Sequence, residues 1–434
     1  MRFAKLSSPT LLALGMMVGC SSSTPGGIQQ KADLAGFGSS GDMAGDSGTG
    51  PGPVLDFAGD DLTGVDLAHA GGDMAIVAGS NTVPLIVDGY EQVPDVGYIS
   101  VTICLPGTTT CQTIDHIDVD TGSVGLRIIS TALNASMLSG LPNLKVGTKS
   151  TAECYVYGDG YVYGTLRTAD VSIGGEKSPG TSVHILGDIT GAPSKCTQSG
   201  SNESTASAFG SNGIIGLHPI TPDCGSTCAS ASGQENPFYY SCSSATSCTT
   251  AVGVPVANQV PNIVTTFPTD NNGVILELPT VAAAGAASST GTLTFGIGTQ
   301  SNNALGSATK YPATLLDGEL QVLTGEIKTT SYQATIFDSG TSTLSFNLSG
   351  LTACSGQEAD WYCDTTTESV TLNSTASALT INIGDADTLL SSNNNAFDNL
   401  ATDGEDGYLI LGLPAFFGRK LFFGINGTAA YYAF

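Results

Sequence analysis

Two short stretches carry residues that could do chemistry. Asp120-Thr121-Gly122-Ser123 and Asp338-Ser339-Gly340-Thr341 share one pattern: carboxyl, hydroxyl, glycine, hydroxyl. They stand 218 residues apart, so each can belong to its own half of a two-lobed molecule. Two carboxyls that meet at an interface cannot both ionise cheaply. One keeps a proton, and the pair titrates as a unit. Such a pair can take a proton at one oxygen while giving one at another, which is general acid–base chemistry. The doubled hydroxyls suit this role because they can orient both carboxyls; an aspartate in an ordinary turn would not require them. Gly122 allows the chain a tight turn beside the carboxylate.

The elements around these stretches repeat as well. Ile117-Asp118-Val119 leads into the first and Ala334-Thr335-Ile336-Phe337 into the second, and both read as strands. An apolar run ending in glycine follows each: Gly213-Ile214-Ile215-Gly216-Leu217 in the first half, Tyr408-Leu409-Ile410-Leu411-Gly412 in the second. Alone, such runs mean only buried strands. Recurring once per half in the same order, they point to a duplicated unit and a pseudo-twofold axis. Between the two sites, Tyr155-Val156-Tyr157 and Tyr161-Val162-Tyr163 flank Gly158-Asp159-Gly160, a strong hairpin signal. A small tip on Tyr-rich arms describes a flap able to close over a cleft. Val83–Val87 reads as a first strand, and Tyr98–Cys104 with Cys111–Val119 as a hairpin. Val274–Leu278 and Thr292–Gly296 read as strands bridging the lobes, and the chain ends in strand-like runs at 421–424 and 430–434.

Composition agrees with a β-rich fold. Charged residues make up 12% of the 434, about half the usual share, and Thr, Ser, Val and Ile fill short runs broken by glycine, asparagine and aspartate. Lys+Arg 13 against Asp+Glu 38 gives a net charge of −25, which opposes binding to nucleic acid or anionic membrane surfaces. Arg2 and Lys5, then the apolar run Thr10–Val18, then Cys20, resemble a bacterial lipobox leader. This implies lipidation at Cys20, and Ser21 resembles an outer-membrane sorting residue. No later run is long enough for a membrane-spanning helix, so membrane attachment is expected through that lipid only. Residues 20–82, rich in Gly, Asp, Ala and Ser, read as a low-complexity acidic tether. Two lobes, at 83–270 and 271–434, follow it. Gly45-Asp46-Ser47-Gly48 looks like a serine-nucleophile motif, but nothing in the tether is placed to serve it.

Ten cysteines remain after Cys20. The simplest pairing joins sequence neighbours: Cys104 with Cys111, Cys154 with Cys196, Cys224 with Cys228, Cys242 with Cys248, Cys354 with Cys363. Spacing alone leaves other connectivities open. A zinc site is the weaker reading, since the chain has four histidines and no paired cluster of them. Calcium at Asp118 and Asp120, or at Asp403-Gly404-Glu405-Asp406-Gly407, lacks the ligand loop such a site needs. His116 and His184 read as packing or surface residues. No phosphate-loop lysine and no Ser/His/Asp set stands out, so no metal or cofactor is expected.

Taken together, these elements resemble the pepsin-like aspartic peptidases over residues 84–434. The order of the two Asp-hydroxyl-Gly stretches, the Tyr157-Gly158-Asp159-Gly160 hairpin and both apolar-Gly runs carries the likeness. The chain is similar as well to uncharacterised, Cys-rich secreted proteins of bacteria. The resemblance implies a mostly β, bilobal double β-barrel with pseudo-twofold symmetry. It implies Asp120 and Asp338 as a catalytic dyad, with Thr121 and Ser339 cross-bracing the two loops. Ser123 and Thr341 would bond the outer carboxylate oxygens, and Tyr157 would be the flap tyrosine. The activity implied is hydrolysis of peptide or protein substrates by a monomer, with hydrophobic residues flanking the scissile bond. Three positions depart from the family. Arg127 stands near the usual place of a tryptophan that supports the flap. Leu413-Pro414 follows the second apolar-Gly run in place of aspartate. No basic inhibitory prosegment precedes the lobes. The alternatives are a catalytically silent binding or inhibitor protein on the same fold, and a structural surface lipoprotein.

Overall fold

The computed structural model describes residues 81–158, 160–232, 237–244, 246–316, 320–355, 360–374, 379–425 and 429–434. The leader, Cys20 and the tether up to residue 80 lie outside the described residues, as does Asp159. Asn81, the first described residue, is fully buried, and the first strand is Thr82–Val87.

The fold is mostly β and two-lobed, and its halves repeat one unit. In the first, Cys111–Asp120 runs into the carboxyl stretch and Val124–Ile129 leaves it. Gly213–Leu217 then inserts between them. It pairs parallel with the incoming strand, Gly216 opposite Asp120, and antiparallel with the outgoing one, Leu217 opposite Val124. In the second, Thr330–Phe337 enters, Leu344–Phe346 leaves, and Tyr408–Leu411 inserts with the same two senses. Both inserted strands are hydrophobic without alternation because both of their faces are covered; every residue of Gly213–Leu217 is buried. Similar bonds, from donors one register step apart, hold the two turns. His218 N–H donates to the Ser123 carbonyl and Leu413 N–H to the Thr341 carbonyl, each at 2.8 Å. These contacts fix both carboxyl-bearing turns against their own lobe.

One antiparallel sheet joins the halves. Thr82–Val87 pairs with Ser289–Phe295, which pairs with Gly273–Leu278, then Arg419–Gly424, Tyr431–Ala433 and Lys310–Pro312. The strands expected to bridge the lobes are its centre. Val83, Leu85, Leu276, Leu293, Phe295, Leu421 and Phe423 point from it into one continuous core. Each such side chain contributes about 1.5–3 kcal/mol of burial. The five disulfides join the neighbours proposed from spacing. Cys154–Cys196 closes the longest loop, 42 residues. In a chain-entropy picture that is worth about 4 kcal/mol, against about 2–3 for the short-loop pairs.

A second contact between the halves is polar. Asp95 N–H donates to the Asn395 carbonyl at 2.8 Å, and Asp95 Oδ1 accepts from Phe397 N–H at 2.7 Å. The side chain is fully buried, and burial raises its pKa well above the usual carboxyl value, against the pull of the Phe397 N–H. The native state therefore holds this proton to higher pH than the unfolded chain. Stability from this group is present at low pH and is lost as pH rises through the raised pKa. Asp95→Asn keeps the acceptor and removes the charge. Thermal unfolding of the two proteins should coincide near pH 4, and the variant should melt higher by pH 8. A melting difference that does not change with pH would show that Asp95 is buried ionised.

Candidate active site

Both predicted stretches meet where the halves face each other. Asp120 closes its strand, Asp338 follows directly on Thr330–Phe337, and both side chains are fully buried. The turns beneath them are tied by crossed bonds. Thr121 Oγ1 donates to the Phe337 carbonyl at 2.8 Å and accepts from Ser339 N–H at 3.0 Å. Ser339 Oγ donates to the Val119 carbonyl at 2.5 Å and accepts from Thr121 N–H at 3.1 Å. Each hydroxyl thus fills both of its hydrogen-bonding roles across the axis.

The glycines are needed for space rather than for a special backbone conformation. Neither Gly122 nor Gly340 has a positive φ. A Cβ on Gly122 would lie 2.5 Å from Cγ of Asp338, and a Cβ on Gly340 would lie 2.6 Å from Cγ of Asp120. Each carboxyl occupies the room left by the other lobe's missing side chain. The reason offered from sequence, a tight turn, is replaced by this reciprocal close approach.

Hydrogen bonding around the two carboxyls is unequal. Gly122 N–H donates to Asp120 Oδ1 at 2.6 Å, and Gly340 N–H to Asp338 Oδ1 at 3.1 Å. Thr341 Oγ1 donates to Asp338 Oδ2 at 2.6 Å. The matching bond expected from Ser123 is not made; Ser123 Oγ and Asp120 Oδ2 are both buried without a hydrogen-bond partner. Burial, the charge of Asp120 and a hydrogen bond shared with it raise the Asp338 pKa well above the carboxyl range, against Thr341 and the Gly340 N–H. Burial and the neighbouring Asp120 charge thus favour the protonated form of Asp338.

The hairpin expected as a flap is formed by Lys149–Val156 and Gly160–Ile173, with Tyr157 N–H donating to the Gly160 carbonyl at 2.8 Å. Gly158 is exposed at its tip, while the Tyr157 ring is fully buried against Tyr155 and Phe209. Gly160 is held at its base, pairing with Ser201 so closely that a Cβ would lie 2.5 Å from the Ser201 carbonyl oxygen.

Behind the hairpin lies a buried charge cluster that pattern reading missed. Arg127 is fully buried and its guanidinium stacks 3.5 Å over the Tyr155 ring. It donates to Glu153 Oε1 at 2.8 Å, approaches Asp223 Oδ2 at 3.4 Å, and donates through Nη1 to the Val124 carbonyl. His184 Nδ1 stands 3.0 Å from Glu153 Oε2, so this histidine belongs to a buried ion cluster and not to a surface. Tyr239 donates to Asp223 Oδ1 at 2.5 Å. Burial opposes ionisation of Glu153, but Arg127 and then His184 outweigh it and hold its pKa far below the usual value. Burial and the Glu153 charge push Asp223 well above it. The sequence signal was a charged residue inside the otherwise apolar run Val124–Ile129.

The remaining candidates do not add a site. Asp118 is buried in its strand. Asp403 and Asp406 are engaged by Tyr362, Gly404 and Asn347. Among the described residues, the His/Cys/Asp/Glu group close enough to hold a metal is Cys354, Cys363 and Asp387, and its two sulfurs are joined in a disulfide. No helix among the described residues is long and apolar enough to cross a membrane.

Two measurements follow from this geometry. Gly122→Ala should destabilise the protein sharply, and Asp338→Ala in the same chain should recover part of that loss. Denaturant unfolding of the four members of the cycle should give a coupling of about 0.5–3 kcal/mol, and strict additivity would mean that the Cβ meets something else. Arg127→Met strands Glu153 and should cost about 3–5 kcal/mol by the same assay. A cost below about 1 kcal/mol would show that the cluster relaxes or hydrates.

No curated protein matches the chain. Among solved structures, the aspartic proteinase from Irpex lacteus is similar at 18% sequence identity, over 81% of this chain and 96% of that one, with a TM-score of 0.46. A match over residues 77–434 shows that the chain belongs to DUF3443, a family of proteins of unknown function.

Proposed function

We propose that the chain is an aspartic endopeptidase with Asp120 and Asp338 as its catalytic dyad. The observation that carries this reading is the reciprocal packing of two carboxyls against the opposite glycines, above a fully crossed set of hydroxyl bonds. A pair arranged this way holds one proton. Asp120 as carboxylate takes a proton from a water molecule while Asp338 gives its own to the scissile carbonyl oxygen. The water oxygen bonds to the carbonyl carbon, and a neutral diol forms. Collapse of the diol breaks the C–N bond as a proton passes to the leaving nitrogen. The raised pKa of Asp338 extends the singly protonated state upward in pH. Activity should fall in alkali as Asp338 loses its proton.

In this reading Tyr157 and the 158–160 tip form the flap over a peptide or protein substrate. The enzyme acts as a monomer, exported and lipid-anchored through Cys20 in a bacterial cell envelope. The five disulfides support an oxidising compartment. One observation favours the second reading, a silent binding protein: Asp120, Asp338 and Tyr157 have no exposed surface.

Cleavage of an unfolded protein by the full chain between pH 3 and 8 separates the two. The peptidase reading expects cleavage that Asp120→Asn and Asp338→Asn each reduce by at least about 10³-fold with the fold retained. Folded wild-type protein that cleaves nothing across that range would establish the silent reading. Undiminished activity in either variant would remove that aspartate from the mechanism.

A further inference from the structure

The pseudo-twofold repeat breaks at one buried residue beside the carboxyl pair. Ile215 and Leu411 hold equivalent places, facing Leu126 and Leu344, each six residues past its aspartate, so the place of His218 is taken in the second half by Pro414. Pro414 offers no polar side chain. His218 carries an imidazole that is 1% exposed and bonded on both sides. Gln321 N–H, from the other half, donates to His218 Nε2 at 3.1 Å. A backbone N–H can only donate, so Nε2 carries the lone pair. Nδ1 then carries the hydrogen, which it donates to the Thr121 carbonyl at 3.0 Å. The carbonyl of Thr121 belongs to the same peptide group as Gly122 N–H, and that N–H donates to Asp120 Oδ1 at 2.6 Å.

These bonds form one directed chain: Gln321 N–H to imidazole, imidazole N–H to Thr121 carbonyl, Gly122 N–H to Asp120. Every member donates toward the carboxyl, and hydrogen bonds in series polarise one another. Negative charge on Asp120 is favoured by a donor strengthened from behind. The corresponding Gly340 N–H lies at 3.1 Å from Asp338 Oδ1. Pro414 at the equivalent position has no side-chain hydrogen to donate to the carbonyl of that peptide.

We propose that His218 is the positioning residue that breaks the symmetry of the pair, directing the negative charge to Asp120 and leaving the proton on Asp338. It touches neither substrate nor carboxyl; it acts through the Thr121–Gly122 peptide. Asn262 Nδ2 donates to the His218 carbonyl at 2.9 Å and fixes the residue's backbone. The titratable groups around the chain are Asp120 at its end, Asp338 across from it, Tyr155 on the Asp120 side and Tyr432, whose hydroxyl donates to the Gln321 carbonyl at 2.9 Å. Burial lowers the pKa of His218 to about 4, so the neutral form that the chain requires persists over most of the acid range. Protonation would place a hydrogen on Nε2 against the Gln321 N–H and break the chain at its first link.

The consequence for turnover rests on the peptidase reading, but the charge placement can be measured without it. The experiment records carboxyl ¹³C shifts of aspartate-labelled full chain from pH 3 to 8, assigned with Asp120→Asn and Asp338→Asn. His218→Leu, which removes both the donor and the acceptor, and His218→Gln, which keeps a donor and an acceptor, are run beside wild type. Asp120 should ionise first in wild type. The lower apparent pKa of the pair should rise by about one unit or more in the Leu variant, a tenfold change in proton affinity, and return toward wild type in the Gln variant. Where cleavage is measurable, the acid limb of kcat should move by the same amount while KM stays within about threefold. An unchanged titration in a folded Leu variant overturns the proposal, whether or not the protein cleaves. A shifted titration in a protein that cleaves nothing supports it while removing the peptidase reading. If the Leu variant does not fold, the imidazole ¹⁵N shifts of wild type decide. Hydrogen on Nδ1 and a bare Nε2 from pH 5 to 8 support the proposal, and a protonated Nε2 overturns it.

Discussion

Everything at the interface depends on the exchange of hydrogen bonds between Thr121 and Ser339. Each side chain reaches past its own turn to the backbone of the other half, and each backbone N–H is answered by the opposite hydroxyl. All the groups are buried, where an unmade bond costs about 1–3 kcal/mol. Shifting either lobe by a fraction of an ångström would strain four such bonds together. That stiffness allows two carboxyls to be pressed against opposing glycines without being pushed apart by their own charge. The shared sheet from Thr82–Val87 to Tyr431–Ala433 makes the same point with hydrophobic area. It interleaves the start and end of the described chain, so that the halves cannot separate without tearing strand ladders.

The carboxyl pair is symmetric in sequence and asymmetric in space. Thr341 bonds its aspartate and Ser123 does not, although both residues are hydroxyls at the same offset. A histidine, His218, stands where the second half has Pro414. The two groups pull in opposite directions with pH. Asp338 with its raised pKa holds a proton more tightly in the folded state, so its stabilising contribution fades as pH rises. His218, lowered to about 4, binds its proton less tightly than the unfolded chain does, so the stability tied to its neutral form is lost as pH falls from the ordinary histidine value toward 4. Where the two pH windows overlap, the contributions offset each other instead of adding.

Much of this was legible because it is local. An apolar strand ending in aspartate, followed by hydroxyl, glycine and hydroxyl, can be read from consecutive residues, and its repetition specifies a two-lobed fold. The inserted strands Gly213–Leu217 and Tyr408–Leu411 were legible for the same reason, because parallel strands buried on both faces are uninterrupted apolar runs. Four of the five cysteine pairs were legible because they close loops of 4 to 9 residues; Cys154–Cys196, across 42, was not local. What could not be read was non-local. His218 carries its meaning through Gln321, which is 103 residues away, and Arg127 through Asp223, which is 96 residues away. Neither pairing leaves a trace in the neighbouring letters. The role of Gly122 was misread for the same reason: the atom that excludes a side chain there belongs to Asp338.

The buried cluster at Arg127 bears on how the hairpin can move. Glu153 lies in the first arm of the hairpin, and through Arg127 it is joined to the strand that leaves the Asp120 turn. Tyr155, two residues farther along, lies under the guanidinium, and Cys154 between them is bonded to Cys196. Three consecutive residues of that arm are thus held by an ion pair, a disulfide and a cation–π contact. The opposite arm is pinned at Gly160 and Tyr161 by pairing with Ser201 and Asn202. Pulling Glu153 away from Arg127 would leave buried charge uncompensated, at a cost of several kcal/mol. Rotating a tyrosine away from its aromatic neighbours costs about 0.5–1.5 kcal/mol beyond its buried area. The cheaper motion is therefore the one beyond Val156, in which Tyr157 leaves Tyr155 and Phe209 and the tip swings on a fixed base. Arg127 also bonds the Val124 carbonyl beside the Asp120 turn, so the charge cluster keeps the carboxyl turn from following that motion.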